Sequence, residues 1–475
     1  MPKITLIGAG SAVFSKNVIA DILWHPALRD AEFALVDIDR ERLDLAYQMA
    51  LSINWTLCAN ATITATQDRR EALVGSDFVI NTIGVGGHDA ARIDLEIPLQ
   101  HGLKQVVGDT LGVGGIFRSA RSIPEVLAIC RDMEELCPKA LLMNYTNPMA
   151  MHMLAIQRTS SIRAVGLCHG VVYTARTMRM LVALKDRSPE EINQHFLKPY
   201  NSPERTAEWL EWHTLGEDPG LSYTCAGINH MAAFLRFESN GEDLYPKLRE
   251  ALDLPHLMQF DAVRFELFRW LGFYMTETSG HCSEYLPYFL KSDKEIERCS
   301  LPVAGYLRTL GSLKSDTDRL REMLHTGSPI VQADYSLSVE YASRIINAIT
   351  TDTPFIFNGN IHNAGGALIS NLPGDSCVEV PCVASRAGIL GTSVGDLPRQ
   401  VAALIRTNIN VQDLAVQGIL ENNKDYLYQA AMLDPNTASS LTLPEIRAVM
   451  DALFEAHQEA LSANLRFGGK LHFGK

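Results

Sequence analysis

The chain has no long apolar run, no basic surplus, no repeat and no low-complexity tract. None of its apolar stretches approaches the roughly 20 residues that span a bilayer. The stretch 141–156 is broken by Asn144, Asn147 and Pro148, so no membrane segment is expected. Lys and Arg number 42 against 55 Asp and Glu, a formal net charge of −13. A nucleic-acid partner is not expected either, because phosphate binding needs a basic face. Nine cysteines are scattered and odd in number, which reads as reduced thiols, most of them in the core, and not as a disulfide framework. The N-terminus carries one Lys and a short apolar run that leads straight into glycine. It reads as a strand and not a signal peptide, so a cytosolic protein is expected.

What is present is core-forming material. Over 475 residues, 47% are hydrophobic and 20% charged, which supports two or three domains' worth of interior. Short apolar runs at Ile4–Ile7, Phe33–Val36, Phe78–Asn81, Ala140–Tyr145 and Ala164–Leu167 alternate with helical stretches at 14–24 and 40–55. In the latter, Leu43, Ala46 and Met49 share a face. Strands alternating with helices imply a parallel sheet covered on both sides. After about residue 170 helical segments dominate, at 171–185, 243–253, 258–271, 335–350, 396–422 and 444–462. The polar stretch 186–220, with Pro189, Pro199, Pro203 and Pro219, reads as an inserted surface excursion. The expected fold is α/β. A Rossmann-like, doubly wound parallel sheet spans 1–167, and a second, mainly helical α+β domain over 168–475 serves substrate, metal and oligomer contacts.

The first turn, Gly8-Ala9-Gly10-Ser11, supplies two glycines of a dinucleotide fingerprint, with Val13 where the third would stand. Two suffice for a tight turn and a close approach to a pyrophosphate at a helix N-terminus. Asp37 ends the second strand, where an acid bonds the ribose hydroxyls and repels a 2′-phosphate. NAD is therefore the expected cofactor.

Soft and borderline ligands lie further on. Cys168-His169-Gly170 follows a strand at its C-terminal end, and His230 lies in Gly227-Ile228-Asn229-His230. A thiol and an imidazole brought together suit Mn²⁺, Fe²⁺ or Zn²⁺, although a Cys-His dipeptide alone more often marks a core thiol beside a satisfied ring. Asp109 precedes a run, Leu111–Arg118, with too many glycines for a helix. Asn144-Tyr145-Thr146-Asn147-Pro148 places two amides at a strand end, which could also be plain turn chemistry.

Taken together, Gly8–Ser11, Asp109 with its glycine run, Asn147-Pro148, Cys168-His169 and Gly227–His230 resemble glycoside hydrolase family 4. The likeness extends to Asn371-Leu372-Pro373, Val378–Pro381 and Thr407–Asn410. It is strongest overall to the melibiase-type α-galactosidases, as in Asn144–Met151 and Glu284-Tyr285-Leu286-Pro287. The resemblance implies NAD⁺ and a divalent metal, usually Mn²⁺, cleaving a glycoside without net redox change and outside the usual two-carboxylate scheme. Hydride leaves carbon 3 for NAD⁺, and a base removes the acidified hydrogen on carbon 2 while the metal stabilises the enolate. The glycosidic oxygen leaves with help from an acid, water adds, and the hydride returns. The resemblance makes Cys168 and His230 metal ligands, Asn147 a substrate contact, His169 the general acid and Asp109 a residue near sugar and metal. For the carbon 2 base it leaves His281 and Tyr285 open. The chain itself shows no evident pair of opposed carboxylates.

Cys168-His169 argues against a phosphorylated sugar, because phospho-sugar members of the family resemble Cys-Asp or Cys-Asn. The overall likeness points to an α-galactoside and the local glycine at 170 to an α-glucoside; the former is weighted slightly more. A homodimer or homotetramer is expected, with a small α-glycoside as the partner molecule. A plain NAD-dependent dehydrogenase, or a nucleotide-sensing protein that ignores metal, are the rival readings.

Overall fold

The computed structural model describes residues 1–191, 216, 218–258 and 261–461. Most of the 186–220 excursion lies outside the described residues. Among them, twelve strands form one sheet. Six are parallel: β1 (Lys3–Ile7), β2 (Glu32–Val36), β3 (Thr62–Thr66), β4 (Phe78–Asn81), β5 (Leu141–Asn144) and β6 (Arg163–Gly166). Their order is β3-β2-β1-β4-β5-β6. The chain reverses direction across the sheet between β1 and β4, which opens a crevice at the strands' carboxyl ends. Successive residues of a strand face two different cores. Ile4, Leu6, Phe33, Leu35, Ile80 and Met143 pack on one side, while Ile7, Ala34, Val36, Val79 and Leu142 pack on the other. That is why these strands read as near-continuous apolar runs.

The sheet does not stop at β6. The remaining strands are β7 (Leu221–Ile228), β8 (Met231–Ser239), β9 (Glu242–Asp243), β10 (Phe355–His362), β11 (Cys377–Ser385) and β12 (Gly388–Gly391). Strand β10 pairs antiparallel with β6, β11 with β10, and β7 with β11. A single row of residues crosses almost the whole sheet. Val36 lies opposite Ile7, Ile7 opposite Asn81, Asn81 opposite Asn144 and Asn144 opposite Gly166. Gly166 then faces Asn360, Asn360 faces Glu379 and Glu379 faces Gly227. Buried amides tie the row sideways: Asn81 Nδ2 donates to Asn144 Oδ1 (2.8 Å) and Asn360 Nδ2 to Glu379 Oε1 (3.1 Å).

The glycine-rich run 111–118 is helical, contrary to the sequence expectation: it opens the long helix Gly112–Leu136. Each glycine costs a helix about 1 kcal/mol relative to alanine, but here close packing requires them. A Cβ on Gly114 would stand 2.5 Å from the Gly108 carbonyl oxygen, and one on Gly115 2.5 Å from the Thr110 carbonyl carbon. The glycines let the segment that carries Asp109 lie directly on the helix. Gln105 Oε1 accepts the Gly114 N–H at 3.1 Å, which satisfies one donor of the uncapped first turn. Gly115→Ala should therefore overpack this contact and cost ~1–3 kcal/mol. A shift of the urea midpoint to lower concentration checks it; an unchanged midpoint would show that the segment yields freely.

Candidate active site

A cavity of about 900 Å³ opens at the carboxyl ends of β1, β4, β5 and β6. Ser11, Thr82 and Gly84 line one end and Asp109, Asn147, Cys168, His169, His230, Glu277 and His281 the other. The row across the sheet explains the convergence. Gly8 follows Ile7, Asp37 follows Val36, and Cys168 and His230 stand two and three residues past Gly166 and Gly227.

At the nucleotide end, Gly8 adopts φ +87°, and a Cβ there would meet the Thr82 carbonyl carbon at 2.8 Å. The turn thus needs glycine both for its dihedral and for its approach to the next strand. Gly10 has no room for a side chain, because a Cβ would stand 2.6 Å from Asp37 Oδ2. Instead the Gly10 N–H donates to that oxygen at 2.8 Å, and Asp39 N–H donates to Oδ1 at 2.9 Å. The half-buried carboxylate is fixed beside the turn with lone pairs to spare, as a ribose diol requires. Ser11 is exposed at the start of the helix Ala12–Trp24, whose first turn holds no acid.

At the other end, ligand atoms of Cys168, His230 and Glu277 lie within 4.8 Å of one another. Cys168 Sγ is 3.6 Å from Glu277 Oε1 and accepts the Gly170 N–H at 3.4 Å. Burial pushes the Cys168 thiol well up, and the Glu277 and Glu379 charges push the same way. Burial likewise lowers His230 to about 4, which leaves a neutral imidazole with a free lone pair. Burial would raise Glu277, but the charges of His281, His169 and Arg264 hold the carboxyl below its ordinary value. A thiol, a neutral imidazole and a carboxylate packed this tightly form a donor set for a borderline divalent cation. The sequence pointed to Cys168 and His230 and missed Glu277 as the third donor. Gly170 makes the trio possible, because a Cβ there would stand 1.9 Å from Glu277 Oε1.

Beside these donors lies an ion pair. Asp109 Oδ1 is 3.7 Å from His281 Nε2 and accepts the Thr110 hydroxyl at 2.7 Å; Oδ2 accepts Asn147 Nδ2 at 3.0 Å. Burial opposes ionisation of Asp109, but the His281 hydrogen bond and charge and the Arg118 guanidinium hold it well below the usual carboxylate range. Burial also opposes charge on His281, yet Asp109 pushes its pKa up to about 9. Arg118 Nε reaches across to the Asn147 carbonyl at 3.1 Å. The two candidates for the carbon 2 base separate here. His281 lines the cavity, whereas Tyr285 is fully buried, with its hydroxyl 3.4 Å from His230 Nδ1. Burial raises that phenol well above its ordinary pKa.

His169 Nδ1 stands 2.8 Å from Glu340 Oε1, a buried partner 171 residues away that no local pattern in the sequence marks. Burial would depress the imidazole pKa, but the Glu340 hydrogen bond and charge raise it. The cavity also holds two carboxylates, Asp109 and Glu277, where the sequence showed no pair. Both are held ionised, so neither is the protonated partner that a two-carboxylate hydrolysis requires.

A model of family 4 glycosyl hydrolases matches residues 3–184, and one of the family's C-terminal domain matches 225–437. The chain is 39% identical to an α-galactosidase of Bacillus subtilis (strain 168), over 97% of this chain and 99% of that protein. It is 33% identical to an α-galactosidase of Rhizobium meliloti (strain 1021), over 97% of this chain and 89% of that protein. The crystal structure of a 6-phospho-alpha-glucosidase from gut microorganisms, in complex with NAD and Mn²⁺, has the same fold. It superposes with a TM-score of 0.75 at 19% identity, over 97% of this chain and 99% of that one.

Gly170→Ala should displace Glu277 and weaken Mn²⁺ binding by about ten- to hundredfold while leaving NAD⁺ affinity unchanged. Titration calorimetry with each ligand reads both, and undiminished Mn²⁺ affinity would remove Glu277 from the donor set. For His169 the sign is set by Glu340. The raised pKa keeps the imidazolium as pH climbs past the ordinary value near 6.5 and releases the proton only above it. In Glu340→Gln the His169 midpoint, followed by NMR on ring-labelled histidine, should move to lower pH. An unmoved midpoint would show that the carboxylate does not govern it.

Proposed function

We propose, from the premise that this chain belongs to glycosyl hydrolase family 4, that it hydrolyses unphosphorylated α-galactosides with NAD⁺ and a divalent cation, Mn²⁺, as cofactors. The observation that carries this reading is the opening of the dinucleotide turn and the Cys168–His230–Glu277 donors onto one cavity. The two α-galactosidase relatives, each matched over nearly its full length, favour the galactoside.

When bound, NAD⁺ supplies a hydride acceptor for carbon 3 of the sugar, and the cation polarises the resulting ketone, which acidifies the hydrogen on carbon 2. The chain's own groups do the rest. Gly8, Gly10 and Ser11 receive the pyrophosphate and Asp37 the ribose diol. Cys168, His230 and Glu277 hold the cation. Asn147, oriented by Asp109 and Arg118, meets a sugar hydroxyl. His169, with Nδ1 committed to Glu340, presents Nε2 and its proton to the departing glycosidic oxygen. His281 in its unprotonated form takes the carbon 2 proton on its ring nitrogen, Asp109 stabilises the imidazolium that results, and Tyr285 holds His230 from behind.

Hydrolysis of nitrophenyl α-galactoside should require both NAD⁺ and Mn²⁺ and accumulate no NADH. In D₂O the released sugar should carry deuterium at carbon 2, read by NMR, and His281→Ala should abolish that incorporation. Full activity in EDTA-treated, NAD-free protein would sink the reading, and NADH produced in proportion to substrate would replace it with a dehydrogenase. Faster turnover of the α-glucoside would correct the substrate alone.

A further inference from the structure

We propose that Glu284 is the positioning residue that sets Asp109 against His281, an inference whose activity arm rests on the hydrolytic reading above. Glu284 ends the short helix Ser279–Glu284 and its side chain is buried. It does not touch the cavity. Its carboxylate instead gathers three consecutive backbone N–H groups. Oε1 accepts from Val106, from Val107 at 2.6 Å and from Gly108 at 3.1 Å, and Oε2 accepts from Gly108 at 3.1 Å. Asp109 is the next residue.

The strip 105–108 has no regular secondary structure and depends on what surrounds it. Its carbonyls are taken from the far side, where Ala304 N–H donates to the Gln105 oxygen (2.7 Å) and Tyr306 N–H to the Val106 oxygen (3.1 Å). Its amides have Glu284. Without that carboxylate two buried donors, Val106 and Gly108, and the half-buried Val107 would lose their partner, a condition folded proteins avoid. The same helix bears His281 one turn before Glu284. One rigid element therefore delivers the imidazole to the Asp109 carboxylate and, through Glu284, the backbone that carries Asp109. Gly280 fits the helix to the strip, since a Cβ there would meet Val106 Cγ1 at 3.0 Å.

Glutamine is the discriminating substitution. Its carbonyl oxygen can replace Oε1, but its NH₂ then faces the Gly108 N–H, donor against donor. Glu284→Gln should loosen the Asp109 end of the strip and spare the Val106 end. The test uses the full chain with NAD⁺ and Mn²⁺ present. By hydrogen exchange with mass spectrometry, peptides covering 103–111 should be slow in the wild type and at least about tenfold faster in Glu284→Gln, with the β1–β6 peptides unchanged. With nitrophenyl α-galactoside, kcat should fall by about ten- to hundredfold, the scale of a misplaced catalytic group, with KM and NAD⁺ affinity within about twofold. Asp109→Asn should lose activity on its own, and adding Glu284→Gln to it should cost almost nothing more, because both changes act through one residue. Multiplying losses, or a strip that exchanges no faster in the variant, overturn the proposal. If Glu284→Gln does not fold, the wild type decides: fast exchange over 103–111 excludes an anchored strip, and slow exchange upholds it. If the wild type cleaves no α-glycoside the hydrolytic reading fails, and the exchange comparison still judges Glu284.

Discussion

One row of backbone pairing holds the site together. From Val36 through Ile7, Asn81, Asn144, Gly166, Asn360 and Glu379 to Gly227, neighbours lie opposite one another across both the parallel and the antiparallel parts of the sheet. Asn147, Cys168, His169 and His230 leave their strands within three residues of this row, and Ser11 within four, on one edge. A slip of one residue in any of these pairings would turn the strand's side chains to the opposite face and carry its ligand away from the others. Buried amides along the row make such a slip costly, because Asn81, Asn144 and Asn360 would lose their partners. Register here is a functional constraint as much as a stabilising one.

The second constraint is room. Backbone and side chains approach more closely at the site than any Cβ permits, and glycine stands at each such point. At Gly170 the space belongs to the Glu277 carboxylate, at Gly10 to Asp37, and at Gly114 and Gly115 to the strip before Asp109. The glycines cost helix propensity and conformational entropy. They return the convergence of acids onto a thiol, an imidazole and a turn.

Legibility in the sequence followed the range of the signal. The parallel half could be read because each strand, its turn and its helix are contiguous, and because a strand buried on both faces is a plain apolar run. Strands β7 and β8 gave no comparable signal, and β10 and β11 are interrupted by Asn358-Gly359-Asn360 and by Pro381. Segments such as Cys225–Ile228 and Met231–Ala233 are rich in Ala, Gly and Cys, not in the β-branched residues that mark a strand. Cys168 and His230 stood out because few residue types bind soft cations. Glu277 did not, since an acid before Thr-Ser-Gly looks like a solvated turn; only the fold places it over Gly170. Glu340 meets His169 across 171 residues, and Glu284 serves backbone groups, so neither has a local pattern. The glycine run at 111–118 was misread because propensity counts the cost of each glycine and cannot see the strip packed against it.

Charge is the third constraint on the site. The cavity end of the site gathers the Asp109 and Glu277 carboxylates and the Cys168 thiol around the neutral His230 imidazole, with His281, His169 and Arg118 as its cations. His281 and Arg118 attend Asp109, and His281 also stands 3.8 Å from Glu277, so Glu277 and the Cys168 thiol share a largely desolvated volume in which one imidazolium serves both acids. Such a pair costs folding free energy unless a cation joins it. The thiol, raised by burial and by the neighbouring acid, becomes a ligand only when a cation makes the thiolate the better state. The same field leaves no carboxyl on the cavity wall protonated near neutral pH. Proton donation then falls to an imidazole, and His169, whose partner Glu340 lies outside the cavity wall, is the one held in its charged form without being tied to Asp109.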